Sequence, residues 1–203
     1  MNQAYYIGGS PCCGKSSIAK TIADRYNFKV YRLDDHVDDY MKIMSDSGNE
    51  LFKRILSYGL DEMWMRDPEV LCDDEIAAYE GLFSYFQKDI NELKSKSNVI
   101  AEGSGLLPKL VYDANVSKEQ YICITPSRTF QTDKHSNRSW VKHYLASVEN
   151  PETALSNWIE RDVRYAQIVL RDAINLEYEN IVVDGTKSIE ENIKIVERVF
   201  KLV

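Results

Sequence analysis

No apolar run in this 203-residue chain approaches the roughly 18 residues that a membrane-spanning helix needs, so no span is expected. Cysteine is scarce. Cys12, Cys13, Cys72 and Cys123 have neither metal-site spacing nor the framework of a small secreted domain. A cytoplasmic, reducing setting is the natural expectation. The first apolar run begins at Ala4 and leaves no room for a signal peptide, which points the same way. The three histidines, His36, His135 and His143, make no metal set with Asp or Glu and read as surface or pocket residues. There is no internal repeat, low-complexity tract or interdomain linker. One α/β domain over residues 1–203 is expected.

Positive charge is also short, and unevenly so. The net charge is −7. Residues 1–33 carry +4, residues 34–102 carry −10 and residues 103–203 carry −1. An acidic middle third excludes the basic stripe of a nucleic-acid groove. It fits a neutral or cationic small ligand, or simply a solvated acidic face.

What the chain does have is a phosphate loop. From Gly9 the sequence Gly9-Ser10-Pro11-Cys12-Cys13-Gly14-Lys15-Ser16 spells G-x-x-x-x-G-K-S, the Walker A pattern, and Ser17 follows it. It lies between an apolar run, residues 4–7, and a helical pattern from Lys15 to Tyr26, the strand–loop–helix context the motif requires. Such a loop turns successive backbone N–H groups toward phosphate oxygens, and the following helix adds its positive end. Lys15 is placed to reach the β- and γ-phosphates, and Ser16 to ligate Mg²⁺. A bound nucleoside triphosphate, taken as ATP with Mg²⁺, is the expectation. Cys12 and Cys13 supply backbone N–H groups, and a thiol there would make the site oxidation-sensitive.

Downstream, five short apolar runs alternate with helical patterns, as in a parallel sheet covered on both faces. Strands are expected near residues 4–8, 28–33, 98–101, 120–124 and 180–183. Helices are expected near 15–26, 35–44, 50–58, 68–94, 106–113, 151–176 and 188–200, with a bend near Gly81. Residues 61–68 read as irregular. Residues 127–150 are polar with scattered aromatics.

In an open parallel sheet the carboxyl ends of the strands carry the ligands. Asp34 and Asp35 follow the second strand. Phosphoryl transfer needs a carboxylate to take the acceptor's proton and others to hold Mg²⁺. A helix cap is the alternative use of such residues. Glu102 ends the third strand before Gly103-Ser104-Gly105 and is a second candidate for metal or substrate. Arg161 and Arg164, at i and i+3, are candidate clamps on the transferring phosphoryl group, with surface pairing to Glu160 or Asp162 as the alternative. Arg138 and Arg128 are weaker candidates. Trp64, Arg66, Trp140 and Trp158 could line an acceptor pocket, although large aromatics are more often core. Arg66 is retained as substrate-binding.

These features together resemble the small P-loop kinases of the nucleoside, shikimate, gluconate and chloramphenicol-phosphotransferase type. Leu33-Asp34-Asp35-His36-Val37-Asp38 is similar to the Asp-x-x-hydrophobic-acidic segment after strand 2 of shikimate and chloramphenicol kinases. Ile100-Ala101-Glu102-Gly103 is similar to the strand 3 ending of uridine-kinase-like enzymes, and Arg161 and Arg164 resemble lid arginines. Val183-Asp184-Gly185-Thr186-Lys187 stands where such kinases place the loop beside the adenine ring. The resemblance implies a five-stranded parallel sheet of order 2-3-1-4-5 with helices on both faces. It also implies an acceptor-side helical insertion at about residues 35–97 and a helical lid at about 127–165. By that match Asp34 is the base and Lys187 lies beside the nucleotide, while Ser16, Asp35 and Glu102 are the metal ligands expected from the loop and the strand ends.

The expected activity is transfer of the γ-phosphoryl group of ATP to a hydroxyl of a small molecule. The partners are that acceptor and, as a candidate, a second copy of the chain, with no nucleic acid and no membrane. A nucleoside monophosphate kinase and a non-catalytic ATP-binding sensor or regulatory ATPase are the alternatives. A GTPase is disfavoured, because the chain has Glu102-Gly103 in place of D-x-x-G and no N-K-x-D.

Overall fold

In a computed structural model, residues 2–203 are described; Met1, the first residue of the expected domain, lies outside them. Five strands form one sheet: β1 (Ala4–Gly9), β2 (Lys29–Arg32), β3 (Val99–Glu102), β4 (Tyr121–Pro126) and β5 (Glu179–Val183). The order is β2-β3-β1-β4-β5 and every pairing is parallel. This is the sheet implied by the sequence resemblance.

The strand sequences explain the order. β1, β3 and β4 are the apolar ones. β3 and β4 are buried throughout and β1 at all but Tyr5, as strands covered on both faces must be. β2 (Lys-Val-Tyr-Arg) and β5 (Glu-Asn-Ile-Val-Val) mix exposed and buried positions and take the edges.

Alternation within strands divides the core in two. Ile7, Ile100, Ile122, Ile124 and Ile181 face one side. There they pack on α1 (Lys15–Tyr26), through Ile18 and Ile22, and on α10 (Ile189–Val199), through Ile193 and Val196. Ser188 and Glu191 close a capping box at the start of α10. Tyr6, Tyr31, Ala101, Tyr121 and Cys123 face the other side. Over them lie α5 (Pro68–Lys96), α6 (Pro108–Asp113) and α9 (Pro151–Asn175). Each of these three helices begins on a proline, where the missing N–H costs nothing.

α5 runs through Gly81 as a single helix, 29 residues long. Gly81 is there for packing, since a Cβ would stand 3.0 Å from the Phe52 ring of α3 (Glu50–Ser57). α2 (Val37–Asp46) starts two residues later than expected, because Leu33–Asp35 form a separate 3-10 turn. The stretch expected to be irregular contains a short helix, α4 (Leu60–Trp64). Its Trp64 stacks on Trp158 at 4.2 Å between centroids. The polar span after β4 folds as α7 (Arg128–Ser136), α8 (Ser139–Tyr144) and a 3-10 turn, Leu145–Ser147. Val141, Leu145 and Val148 join Trp64 and Trp158 in a small third core. The core reading of these two tryptophans therefore holds. Among the described residues, no helix is long and apolar enough to cross a membrane.

Candidate active site: a phosphate-loop cleft beside a second cavity

The register brings the carboxyl ends of β1, β2 and β3 level. Glu102 pairs with Ile7 on one side and Arg32 on the other. The loop after β1 then has a chain conformation that few residues tolerate. Gly9 has φ +124° and a Cβ there would stand 1.8 Å from the Ile124 carbonyl oxygen, so only glycine fits. Cys12 has φ 71° and Gly14 φ 85°. Gly14 is the N-cap of α1 and offers no side chain to its first-turn N–H groups, which leaves them for an anion.

Residues 11–17 line a cleft of about 360 Å³, together with Asp34, Glu102, Ser104 and Arg138. Lys15 is only 7% exposed and its Nζ donates to the Ser10 carbonyl at 2.6 Å. Ser10 itself is buried beneath the loop. Its N–H donates to Ile124 O at 3.2 Å and its hydroxyl to the Asp162 carbonyl at 3.3 Å. Gly9 and Ser10 thus shape the loop, and the lining begins at Pro11. Cys13 Sγ donates to two carbonyls, Ser10 O and Ile124 O, each at 3.1 Å. Burial pushes the Cys12 thiol up to about 11, which favours the thiol over the thiolate at neutral pH.

Glu102 is buried, which raises its pKa above the ordinary value. The Lys15 charge and a hydrogen bond from the Ser16 hydroxyl act against that rise. The negative charge of Asp34 adds to it. Ser16, Glu102 and Asp34 therefore gather as one hydroxyl and two carboxylates at the foot of the cleft. Mg²⁺ is a hard cation that keeps several waters and takes one or two carboxylates, so this donor set fits it. Among the described residues no cluster of three His, Cys, Asp or Glu side chains could hold a metal without such help.

Asp35, expected beside Asp34, does not join the cleft lining. In the 3-10 turn consecutive side chains diverge by a third of a circle, so only one of the two can face inward. Arg161 and Arg164 are also absent from the phosphate cleft. Arg164 pairs with Glu69 at the start of α5. Arg138, ranked lower from sequence, supplies the cleft's arginine from the turn between α7 and α8. Lys187 is exposed and stands outside the cleft lining. Its loop does run close to the phosphate loop: a Cβ on Gly14 would lie 3.9 Å from Ile189 Cδ1.

A second cavity, of about 180 Å³ and open on one side, lies among α2, α3, α4, α5 and α9. Its wall is apolar, with Val37, Met41, Ile55, Leu71 and Leu82, and is punctuated by Arg66, Asp74, Glu75, Tyr79 and Arg161. Arg66 bonds Asp74 at 2.5 Å and lies over the Tyr58 ring at 4.6 Å. Arg161 is 16% exposed and lies 3.3 Å from Glu75. It also donates to Asp162 at 2.8 Å through Nε and 2.6 Å through Nη2. Trp64 and Trp158 flank its guanidinium at 5.1 and 5.8 Å. The pairing alternative for Arg161 is thus realised inside the cavity wall. Burial pushes the Glu75 carboxyl up to about 7, although Arg161 pulls the other way.

Asp34 acts on both spaces. It lines the phosphate cleft, and its charge raises the pKa values of Glu75 and Tyr79 in the cavity. Asp162 is a second tie. Its backbone receives the Ser10 hydroxyl, and its carboxylate receives Arg161 and, at 2.6 Å, His135 Nε2 from α7. Burial pushes that carboxyl up, but Arg161 and His135 together bring it below the ordinary value. From the same helix Gln131 Nε2 donates to Ser10 Oγ at 3.0 Å and to Pro11 O at 3.3 Å. His135, read from sequence as surface or pocket, is fully buried.

Glu75, Asp162, His135 and Gln131 were not singled out as site residues from sequence. Two of them left a legible trace. Glu75 interrupts the apolar stripe Leu71, Ala78, Leu82, Phe86 of α5, and Asp162 interrupts Ala154, Trp158, Ala166, Val169 of α9. A carboxylate inside a buried stripe must have a partner or a ligand.

No model of a protein family matches the chain, and no curated protein matches it. Among solved structures, the chain is similar to the shikimate kinase of Aquifex aeolicus, with 16% identity over 98% of this chain and 96% of that one at a TM-score of 0.45. It is also similar to a shikimate kinase from Acinetobacter baumannii in complex with shikimate, with 14% identity over 100% and 95% of the two chains at a TM-score of 0.46.

Proposed function

We propose that the protein is an ATP- and Mg²⁺-dependent phosphotransferase that moves the γ-phosphoryl group to a hydroxyl of a small molecule. One observation carries the reading: Asp34 lines the phosphate cleft and stands near enough to a second pocket for its charge to act on Glu75 and Tyr79 in that pocket's wall. A triphosphate in the cleft and an alcohol in the cavity would meet at that carboxylate.

Residues 11–17 would hold the phosphates through backbone N–H groups. Lys15 would leave the Ser10 carbonyl for the γ-phosphoryl oxygens. Arg138 would add a second cation where charge develops. Bound at Ser16 and Glu102, with Asp34 close by, Mg²⁺ would neutralise the β- and γ-oxygens. As the acceptor oxygen bonds to phosphorus and the bridging β–γ P–O bond breaks, the acceptor's proton passes to Asp34. Ordering of residues 127–150 over the cleft would exclude water and suppress hydrolysis. The cytoplasm is the compartment that fits ATP use and four free thiols.

The nucleoside monophosphate kinase reading fits less well. Such an enzyme needs cations free to hold the acceptor's phosphate, and Arg66 and Arg161 both have carboxylate partners. The test is a metabolite-pool screen with labelled ATP, reading phosphorylated product by mass, on the wild-type protein and on Asp34→Asn. The expected result is a product that the variant forms about 10²–10⁴-fold more slowly, with nucleotide binding retained. A wild-type protein that binds ATP and phosphorylates nothing would leave the sensor reading standing instead.

A further inference from the structure

The cavity beside the phosphate cleft holds two cations and two carboxylates in its lining, and no guanidinium there is free. Arg66 is held by Asp74, which Arg54 also bonds at 2.6 Å from outside. Arg161 is held by Asp162 from behind and by Glu75 from the side. Asp34 adds negative charge from the cleft. An anionic group entering this space would meet guanidiniums whose charge carboxylates already balance, so its own charge would be buried without compensation, which is costly.

Two polar atoms in the wall nevertheless lack hydrogen-bond partners. Arg66 Nη1 is a buried donor without an acceptor, and Glu75 Oε2, although 3.3 Å from Arg161 Nε in the ion pair, is a buried oxygen that receives no hydrogen bond. Unsatisfied polar groups of this kind are rare in interiors and mark where a ligand's own groups belong. One wants an acceptor and the other a donor, which a hydroxyl or amine can supply. A cavity of about 180 Å³ is close to the ~150 Å³ that takes a single six-membered ring.

From the paired arginines, the two orphan atoms and the cavity's size, we infer that the acceptor is a single-ring, hydroxylated molecule without an anionic group, uncharged or amine-bearing, and that Asp74 and Glu75 set this selectivity. The inference rests on the phosphotransferase reading for the word acceptor, but the charge selectivity of the cavity can be measured by itself. Asp74 and Glu75 act by occupying the guanidiniums. Removing Asp74 frees Arg66 for an anion, and removing Glu75 leaves Arg161 balanced by Asp162 alone.

The experiment measures equilibrium binding of three size-matched rings by calorimetry or ligand-observed NMR: an uncharged cyclic polyol, its amino-substituted counterpart and a cyclic hydroxy-carboxylate. Each is tested on the wild-type protein, on Asp74→Asn and on Glu75→Gln, and again with MgATP while phosphorylated product is followed by mass. The wild type is expected to bind the carboxylate at least about tenfold more weakly than the polyol or the amine. Each folded variant is expected to shift that ratio about tenfold toward the carboxylate. Equal or tighter wild-type binding of the carboxylate overturns the inference, as does binding of none of the rings, or a ratio that neither folded variant moves. The wild-type panel decides the matter even if both variants fail to fold. Selective binding without phosphorylation would uphold the cavity's selectivity and sink the kinase reading. Phosphorylation of the hydroxy-carboxylate in preference to the other two would do the reverse.

Discussion

The phosphate cleft and the cavity beside it are built in opposite ways. The cleft is made mostly of seven consecutive residues, 11–17, and works through backbone N–H groups and a helix end. The cavity is assembled from side chains between Val37 and Arg161, borne on several helices, and works through balanced charge. A local, backbone-built site tolerates change in most side chains but not in chain conformation. A dispersed, side-chain-built site depends on each ion pair being complete. Asp34 acts on both, and Asp162 ties them more deeply.

Breaking that second tie should have the largest effect. Asp162→Ala leaves Arg161 and His135 without their shared carboxylate, and removing one partner of a buried ion pair costs about 3–5 kcal/mol. Urea unfolding is the measurement, and both sites should lose binding together. A cost near zero would mean that the two sites are structurally independent.

Arg138→Ala should touch the cleft alone. Removing one cation from developing charge lowers kcat by about 10²–10³-fold, while the acceptor's KM stays within about threefold. The same loss on Arg164→Ala would contradict the placement of Arg164 against Glu69.

Glu75→Gln should touch the cavity alone and show itself in pH. The folded Glu75 titrates at about 7, above its ordinary 4.5, so the folded state holds a proton that the unfolded chain releases earlier. Its contribution to stability is complete below about pH 4.5 and is lost as pH rises through about 7. The span is worth on the order of 3 kcal/mol. The stability of the Gln variant relative to wild type should therefore rise across that window in denaturant titrations at several pH values. A flat difference would mean that Glu75 is ionised and fully paired throughout.

The smallest effect is expected at Cys12. Its φ of 71° is one that a side chain adopts at a cost of about 1 kcal/mol, which glycine avoids. Cys12→Gly should shift the unfolding midpoint by no more than that amount, with ATP affinity unchanged by calorimetry. A large loss of affinity would mean that the thiol, and not the backbone, serves the nucleotide.

The chain's own order of residues determined the cleft. A glycine-framed loop between an apolar strand and a helix is a local object, and its conformation follows from residues within a dozen positions of one another. Sequence likewise determined the strands. Continuous apolar runs must be buried on both faces, and polar-edged runs such as Lys29–Arg32 must lie outside them. What sequence could not rank was the company each charge keeps. Asp34 and Asp35 are neighbours in the chain, and a 3-10 turn sends only one of them into the cleft. Arg161 and Arg164 share a helix, yet one enters the cavity wall and the other meets Glu69. Arg138, in a stretch without clear periodicity, lines the cleft from a span whose Val141, Leu145 and Val148 pack with Trp158 in the small third core. Backbone shape is set by nearby residues, whereas a buried pairing such as that of Arg161 with Glu75 is set by packing between elements far apart in the chain. Such pairing gives the cavity beside the cleft its balanced charge.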